Sequence, residues 1–353
     1  MTEPVVHGGL SEAERAAYAA RGIALVDLSA SLNPYGPHPR VARAGRNAAI
    51  ERYPEADARK LREAYASASE LPAEWVLAGN GSSELIYLAA RATSVPNGKG
   101  LVVGPTFGEY ARAIRASGMP VETWTAQGPG FAVNVDELVR HIRQLRPRIV
   151  FVCNPNNPTG TVVNETEIAA IAAAVRDVGG WMVVDEAYMD FANPGCRATA
   201  ASGQVILRSL TKLHSMPGLR LGFALAQPPI IEAIAALQPP WSVSAPAQAA
   251  GLQALREHEF AALSVRRIGL SRSRLAKSLR RAGFVVNESS ANFLLIHVGG
   301  ASAFRRRLME RGFVVRDCTS FGLPEHVRVA IPRAGELSRL VNAMARARED
   351  TAR

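Results

Sequence analysis

The residue pattern of this chain predicts an α/β fold, with a large, mostly parallel sheet followed by a smaller α/β unit at the C-terminal end. Three observations carry that expectation. Between about residues 75 and 225, short β-branched apolar runs alternate with helix-like stretches, the pattern of strand–helix–strand units that lay their strands parallel. Beyond residue 240 the texture changes to a long arginine-rich helical region and then two further apolar runs. The 353 residues, 48% of them hydrophobic, supply enough apolar surface for more than one unit.

Taken in order, the first forty residues, rich in Pro and Gly around SASLNPYGPHP, read as a loop segment. LVVG (101–104), RIVFVC (148–153), WMVVDE (181–186), QVILRS (204–209) and LGFALA (221–226) read as buried strands, being brief, apolar and bounded by turn residues. NVDE (134–137) and NETE (164–167) place Asn three residues before Glu, a helix-start arrangement. A helical region over about 246–282 leads to the apolar runs NFLLIHV (292–298) and VRVAI (327–331), with helices after each. The expected division is an N-terminal segment, 1–45, that joins the smaller unit, a large unit over 46–243, and a small C-terminal unit over 244–353.

Composition narrows the function classes. The net charge of +10 is spread along the chain, and its densest runs, 264–283 and 304–312, have apolar residues interleaved as in solvated helix faces. No nucleic-acid motif accompanies them, so no nucleic-acid partner is expected. No window approaches 18 uninterrupted apolar residues, and the first ten lack a basic start and apolar run, so neither a membrane partner nor a signal peptide is expected. Cys153, Cys196 and Cys318 show no paired spacing, which suits a reducing, cytoplasmic setting and argues against zinc; no metal is expected.

Lysine is rare here: against 41 basic residues the chain has only Lys60, Lys99, Lys212 and Lys277. Lys212 stands in SLTKLHSMPGLRLGF, a small, polar, glycine-punctuated segment with Arg220 eight residues on. Arginine keeps its proton near neutral pH, whereas a desolvated lysine beside another cation can lose it and become a nucleophile. Three more segments suggest what it attacks. AGNGSSELIYLAA (78–90) sets Gly81, Ser82 and Ser83 before a helix, either an anion cradle or an ordinary loop–helix junction; it is neither a Rossmann nor a Walker A loop. CNPNNPTG (153–160) holds Asn157 on a rigid turn at a strand end, where open α/β sheets bind ligands. VVDEAYMDF (183–191) puts Asp185 at another strand end with Tyr188 near it, and a buried carboxylate there needs a cationic partner. A lysine, a carboxylate and an anion cradle together are what pyridoxal phosphate requires.

In order and spacing, these motifs resemble the aspartate-aminotransferase-like enzymes, fold type I of the pyridoxal phosphate family, over about residues 27–332. The resemblance implies pyridoxal 5′-phosphate as cofactor and a homodimer with shared active sites. Lys212 matches the family's Schiff-base lysine, and Asp185 the residue that keeps the pyridine nitrogen protonated. Asn157 and Tyr188 match the pair on the phenolic oxygen. Gly81, Ser82 and Ser83 match the phosphate cup, with Ser209 and Arg220 as further phosphate contacts. Phe107 in GPTFGEY matches the stacking aromatic, and Tyr53 in RYPE a tyrosine that reaches the neighbouring subunit's phosphate. Arg328 in VRVAI matches the arginine on the substrate carboxylate, with Asn33 as a further substrate contact.

Two subgroups lie nearest: L-threonine O-3-phosphate decarboxylases and histidinol-phosphate aminotransferases. HGG (7–9), RSLTK, PGLRLGF, PWSVSA (240–245) and FVVRDCTSFGL (313–323) look more like the decarboxylases, and they make Arg316 and His7 candidate ligands of a substrate phosphate. The sequence thus points to decarboxylation of L-threonine O-3-phosphate or a related phosphorylated amino acid. The alternative is amino transfer from histidinol phosphate, and Tyr35 in SASLNPYG is as in the aminotransferases.

Overall fold

Strand after strand in the middle of the chain is apolar on both faces, so the sheet they form must be covered on both sides. A computed structural model, which describes residues 8–192 and 203–349, shows that arrangement. Its strands in chain order are β1 (Val26–Asp27), β2 (Val76–Asn80), β3 (Gly100–Gly104), β4 (Val121–Thr125), β5 (Ile149–Cys153), β6 (Trp181–Asp185) and β7 (Gln204–Ser209), then β8 (Leu221–Leu225), β9 (Val285–Val286), β10 (Phe293–His297), β11 (Phe313–Val314), β12 (Arg316–Asp317) and β13 (His326–Ala330). The central sheet is seven-stranded in the order β2-β8-β7-β6-β5-β3-β4. All its pairs are parallel except those that β8 makes with β2 and β7.

Alternation along the strands sorts side chains into two cores. Val150, Val152, Val184 and Ile206 face one cluster. Ile149, Phe151, Val183 and Val205 face the other. A third cluster lies around the four-stranded sheet β12-β13-β10-β9, and Tyr188 and Leu213 reach into it. The C-terminal ends of β5, β6 and β7 therefore open where the two sheets meet.

The helix starts follow local chemistry. Asn134 caps Val135–Leu145 by accepting from the Glu137 N–H at 3.2 Å, and Asn164 and Glu167 form a reciprocal capping box ahead of Glu165–Asp177. One expectation needs correction. The first forty residues are not all loop: Ser11 and Glu14 box the helix Glu12–Ala20, and β1 pairs in parallel with β11. That helix buries none of its residues, so its sequence lacks the apolar stripe that signals a helix. The region 246–282 is helical as expected, divided into two helices, Ala245–Ala254 and His258–Arg281. Between them Glu257 turns inward, 3.5 Å from His38 and 3.6 Å from Arg40, and accepts from Gln253 at 2.6 Å. Among the described residues no helix is long and apolar enough to cross a membrane.

Candidate active site

Register places Asp185 beside Cys153, at the end of β6. Its carboxylate is buried and accepts from the Ala187 N–H at 3.0 Å and the Tyr110 hydroxyl at 2.8 Å. Tyr110 is the second residue of the helix Glu109–Ala116, with its ring stacked on Phe151 at 5.1 Å. Burial raises the Asp185 pKa, while Tyr110, the Ala187 N–H and the charge of Lys212 act in the opposite sense. Tyr110 itself is pushed well above the usual phenol range, first by burial and then by Asp185, so it stays a donor.

At the end of β7, Ser209 caps the short helix Leu210–Leu213 through the Thr211 N–H, and the two hydroxyls lie 2.7 Å apart. This turn projects Lys212 into the same space, with its ammonium 6.0 Å from the Tyr188 ring centre. Burial, and then Arg328 and Arg220, bring the Lys212 pKa down to about 8 against the pull of Asp185. A minority neutral fraction near neutral pH follows, where an arginine would have none, as the lysine-for-arginine argument anticipates. Tyr188 packs edge-on against Phe293 at 5.1 Å, and burial pushes its hydroxyl up to about 12.

Opposite lies the N-terminus of Gly81–Ala92, a helix with no side-chain N-cap bond. Its amides carry the positive end of the helix dipole. Arg220, in a left-handed conformation, reaches Ser83 Oγ at 3.5 Å. The fit is close: a Cβ at Gly81, itself at φ +74, would lie 2.5 Å from Arg220 Nη2, and one at Gly222 2.5 Å from the Ser82 nitrogen. Ser82, Ser83, Ser209, Thr211 and Arg220 thus ring one end of a cavity of 90 Å³, with Asp185 and Lys212 also on its walls. A helix N-terminus, four hydroxyls and a guanidinium suit a phosphate; a buried carboxylate, a low-pKa amine and the flat ring of Phe107 suit the rest of pyridoxal phosphate.

The outer cavity, 660 Å³, shares Lys212, Tyr188 and Asn157 with the inner one and adds Arg316 and Arg328. These arginines are register partners on the antiparallel strands β12 and β13, and both are buried. Arg328 donates to Asn157 Oδ1 and, at 2.7 Å, to the Ser29 carbonyl. Arg316 donates to Ser320 Oγ at 2.6 Å and lies 5.4 Å from the Phe321 ring centre; burial and the charge of Arg328 lower its pKa. Asn157 owes its position partly to its neighbour. Asn156 donates to the Pro105 carbonyl at 2.8 Å and accepts from Thr106 at 2.7 Å, fastening the loop that carries Phe107.

Sequence reasoning named a further three residues, two for this site and one for the neighbouring subunit's. Asn33 is not a cavity residue: its amide donates to the Leu213 carbonyl at 2.8 Å and accepts from the Tyr35 N–H at 3.0 Å. With the Asn33 N–H on the Lys212 carbonyl at 3.0 Å, it instead fixes the backbone that bears the lysine. Tyr53, expected to reach the neighbouring subunit's phosphate, stands outside this chain's own cavity, 79% exposed and 4.8 Å from the Trp241 ring centre. His7 lies outside the described residues. Reasoning from sequence also passed over Tyr110 and Thr211, although both stand inside motifs it singled out, and Ser31, whose buried hydroxyl borders the outer cavity and acts on the Tyr188 hydroxyl.

With the geometry in hand, the comparisons are specific. The sequence model of the family described as aminotransferase class I and II matches residues 23–344. The chain is 34% identical over 332 residues to a histidinol-phosphate aminotransferase of Symbiobacterium thermophilum, covering 91% of this chain and 90% of that one. In structure it is similar to histidinol-phosphate aminotransferase from Sinorhizobium meliloti in complex with pyridoxal-5′-phosphate, with a TM-score of 0.84, 19% identity, and coverage of 97% of this chain and 96% of that one. It is also similar to L-threonine-O-3-phosphate decarboxylase from Porphyromonas gingivalis, with a TM-score of 0.79, 24% identity, and coverage of 91% and 99%.

Proposed function

Since this chain belongs to the class I and II aminotransferases, with their aspartate-aminotransferase-like fold and their pyridoxal phosphate dependence, we propose that it transfers the amino group of a phosphorylated amino substrate of the histidinol phosphate type. The observation that carries the reading is the pair Arg316 and Arg328, buried side by side above Lys212. Two adjacent guanidiniums repel each other, and a phosphate dianion between them relieves that repulsion while taking up their donors. The histidinol-phosphate relative of Symbiobacterium supports the same substrate, so this reading takes precedence over the decarboxylation first expected.

Pyridoxal phosphate, when bound, supplies an aldehyde carbon and an electron-withdrawing ring. The protein's own residues do the rest. The helix start at Gly81, with Ser83, Ser209 and Arg220, would hold the phosphate, and Asp185 would keep a proton at the pyridine nitrogen. Asn157 and Tyr188 would orient the phenolic oxygen, and Phe107 would offer an aromatic surface to the ring. Lys212, its pKa brought down to about 8, would take a proton from the substrate Cα as general base and, as general acid, deliver it to the carbon that the cofactor's aldehyde supplies. We read the assembly as a homodimer, and the exposed Tyr53–Trp241 pair supports an apolar contact there.

Decarboxylation of L-threonine O-3-phosphate is the second reading. That substrate carries a carboxylate and a phosphate, one for each arginine, and the Porphyromonas enzyme shares the fold. A product assay separates the two. Cofactor-loaded enzyme is given L-histidinol phosphate with 2-oxoglutarate, and separately L-threonine O-3-phosphate. Glutamate formed in the first mixture upholds amino transfer; carbon dioxide from the second, without glutamate in the first, overturns it. Arg316→Ala is expected to weaken the phosphorylated substrate about 10- to 100-fold and an unphosphorylated analogue much less, as loss of a charge-assisted hydrogen bond requires. Equal weakening of both would remove Arg316 from the phosphate site.

A further inference from the structure

Beyond the cofactor and substrate contacts, the outer cavity has a rim made by the N-terminal stretch Gly8–Leu10, whose Gly8 and Gly9 line its mouth. One carboxylate organises that rim. Asp27 accepts from the Leu10 N–H at 3.0 Å through Oδ2, and through Oδ1 from the Ser29 N–H at 2.9 Å and the Ser29 hydroxyl at 2.6 Å. The Ser29 hydroxyl, its proton so committed, accepts from the Gly9 N–H at 2.8 Å. The Ser29 carbonyl, on the same residue, accepts from Arg328 Nη2 at 2.7 Å.

The backbone around this relay is stiff. Leu28 gives its N–H to the Val314 carbonyl at 2.8 Å and takes one from Ala330 at 2.9 Å, so Asp27 and Ser29 flank a residue stitched to both arginine-bearing segments. Little room remains above it: a Cβ at Gly8 would lie 2.4 Å from the Ser29 carbonyl oxygen and 3.5 Å from Arg328 Nη2. Beyond the rim, the helix Glu12–Ala20 is moored by Glu14 on Arg305 at 2.6 Å and by Tyr18 on Glu310 at 3.1 Å.

We propose that Asp27 and Ser29 are positioning residues that couple docking of the N-terminal strap Gly8–Leu10 to the orientation of Arg328, and so to the affinity of the cavity for an anionic substrate. The coupling rests on the reading of Arg328 as a substrate-anion ligand; the docking does not. A carboxylate is acceptor-only, and both its oxygens are in use. Asp27→Asn is isosteric but presents an NH2 to one set of these donors, so at least one bond of the relay must break. Ser29→Ala removes the acceptor for Gly9 while leaving the Ser29 carbonyl in place, and Ser29→Thr restores a hydroxyl.

The test uses the cofactor-loaded enzyme and two readouts: amide hydrogen exchange across residues 8–11, and spectroscopic titration with maleate, an unreactive dicarboxylate. Asp27→Asn and Ser29→Ala are expected to speed exchange at Gly9 or Leu10 and to weaken maleate about tenfold, the effect of one lost charge-assisted bond, with Ser29→Thr recovering most of both. Unchanged exchange in both variants overturns the docking role. Faster exchange with unaltered maleate affinity overturns the coupling to Arg328. Arg328→Gln separates the underlying reading: if it leaves maleate affinity intact, Arg328 is not the anion ligand, the coupling falls with it, and the exchange result alone still decides the docking.

Discussion

Replacing Tyr110 by Phe removes one oxygen and leaves a buried carboxylate short of a partner. The ring's stacking on Phe151 at 5.1 Å and its edge contact with Phe107 at 5.6 Å survive the change, so the perturbation is confined to the hydroxyl, which meets Asp185 and the Cys153 thiol. A hydrogen bond to a charged acceptor contributes about 1.5–3 kcal/mol, whereas one to a neutral acceptor contributes about 0.5–1.5 kcal/mol. Against wild type, Tyr110→Phe should therefore cost the apoprotein about 1.5–3 kcal/mol when Asp185 is ionised; in an Asp185→Asn background the cost should fall by about 1 kcal/mol or more. The pH dependence has a definite sign. Burial lifts the Asp185 pKa above its ordinary 3.8 despite Tyr110, so its contribution to stability is full below the ordinary value and is lost as pH rises through the folded one. Losing Tyr110 raises the folded value further, so the stability gap between variant and wild type should widen as pH rises. Urea unfolding of the four apoproteins, at about pH 5 and about pH 8, measures both effects. An equal cost of Tyr110→Phe in the two backgrounds, or one that does not grow with pH, would refute the assignment of Tyr110 as the donor that keeps Asp185 ionised.

Lys212→Met should abolish turnover yet raise the melting temperature of the apoprotein. A lysine brought down to about 8 from 10.5 contributes stability that is present above the higher value and lost as pH falls through the lower, so the gain seen by calorimetry should be larger near neutral pH than in alkali. Gly81→Ala places a Cβ 2.5 Å from Arg220 Nη2 at a left-handed φ of +74 and should weaken cofactor binding, read by absorbance titration, by about tenfold or more. Asn33→Ala strands the Leu213 carbonyl and should cost about 1–3 kcal/mol in urea unfolding, with substrate affinity affected less than by Arg316→Ala.

The contrast between Asp185 and Asn33 shows where reading letters stops. Asp185 was legible because it ends an unbroken apolar run: a carboxylate cannot remain in such a core, so it must emerge at the strand's end, where ligands bind. The same logic made β5, β7 and Asn157 readable, whereas Lys212 stood out because lysine is rare in this chain. Asn33 has the residue type of a ligand, but type does not fix direction. Its amide turned to a main-chain carbonyl 180 positions away in sequence, a contact no local pattern encodes. Tyr110 failed in the opposite sense: its pattern is that of an ordinary aromatic on a helix's inner face, and its function comes from a carboxylate 75 positions further on. The relay from Asp27 to Arg328 closes over a separation of 299 between Ser29 and the arginine. Short-range physics, the capping boxes and apolar runs, thus set the scaffold and the strand ends, while the donors that tune the charges on those ends are supplied by tertiary packing. A reader of sequence should accordingly look for such donors among the unremarkable Tyr, Ser and Asp residues flanking a recognised motif, where Tyr110, Thr211, Ser29 and Asp27 all stand.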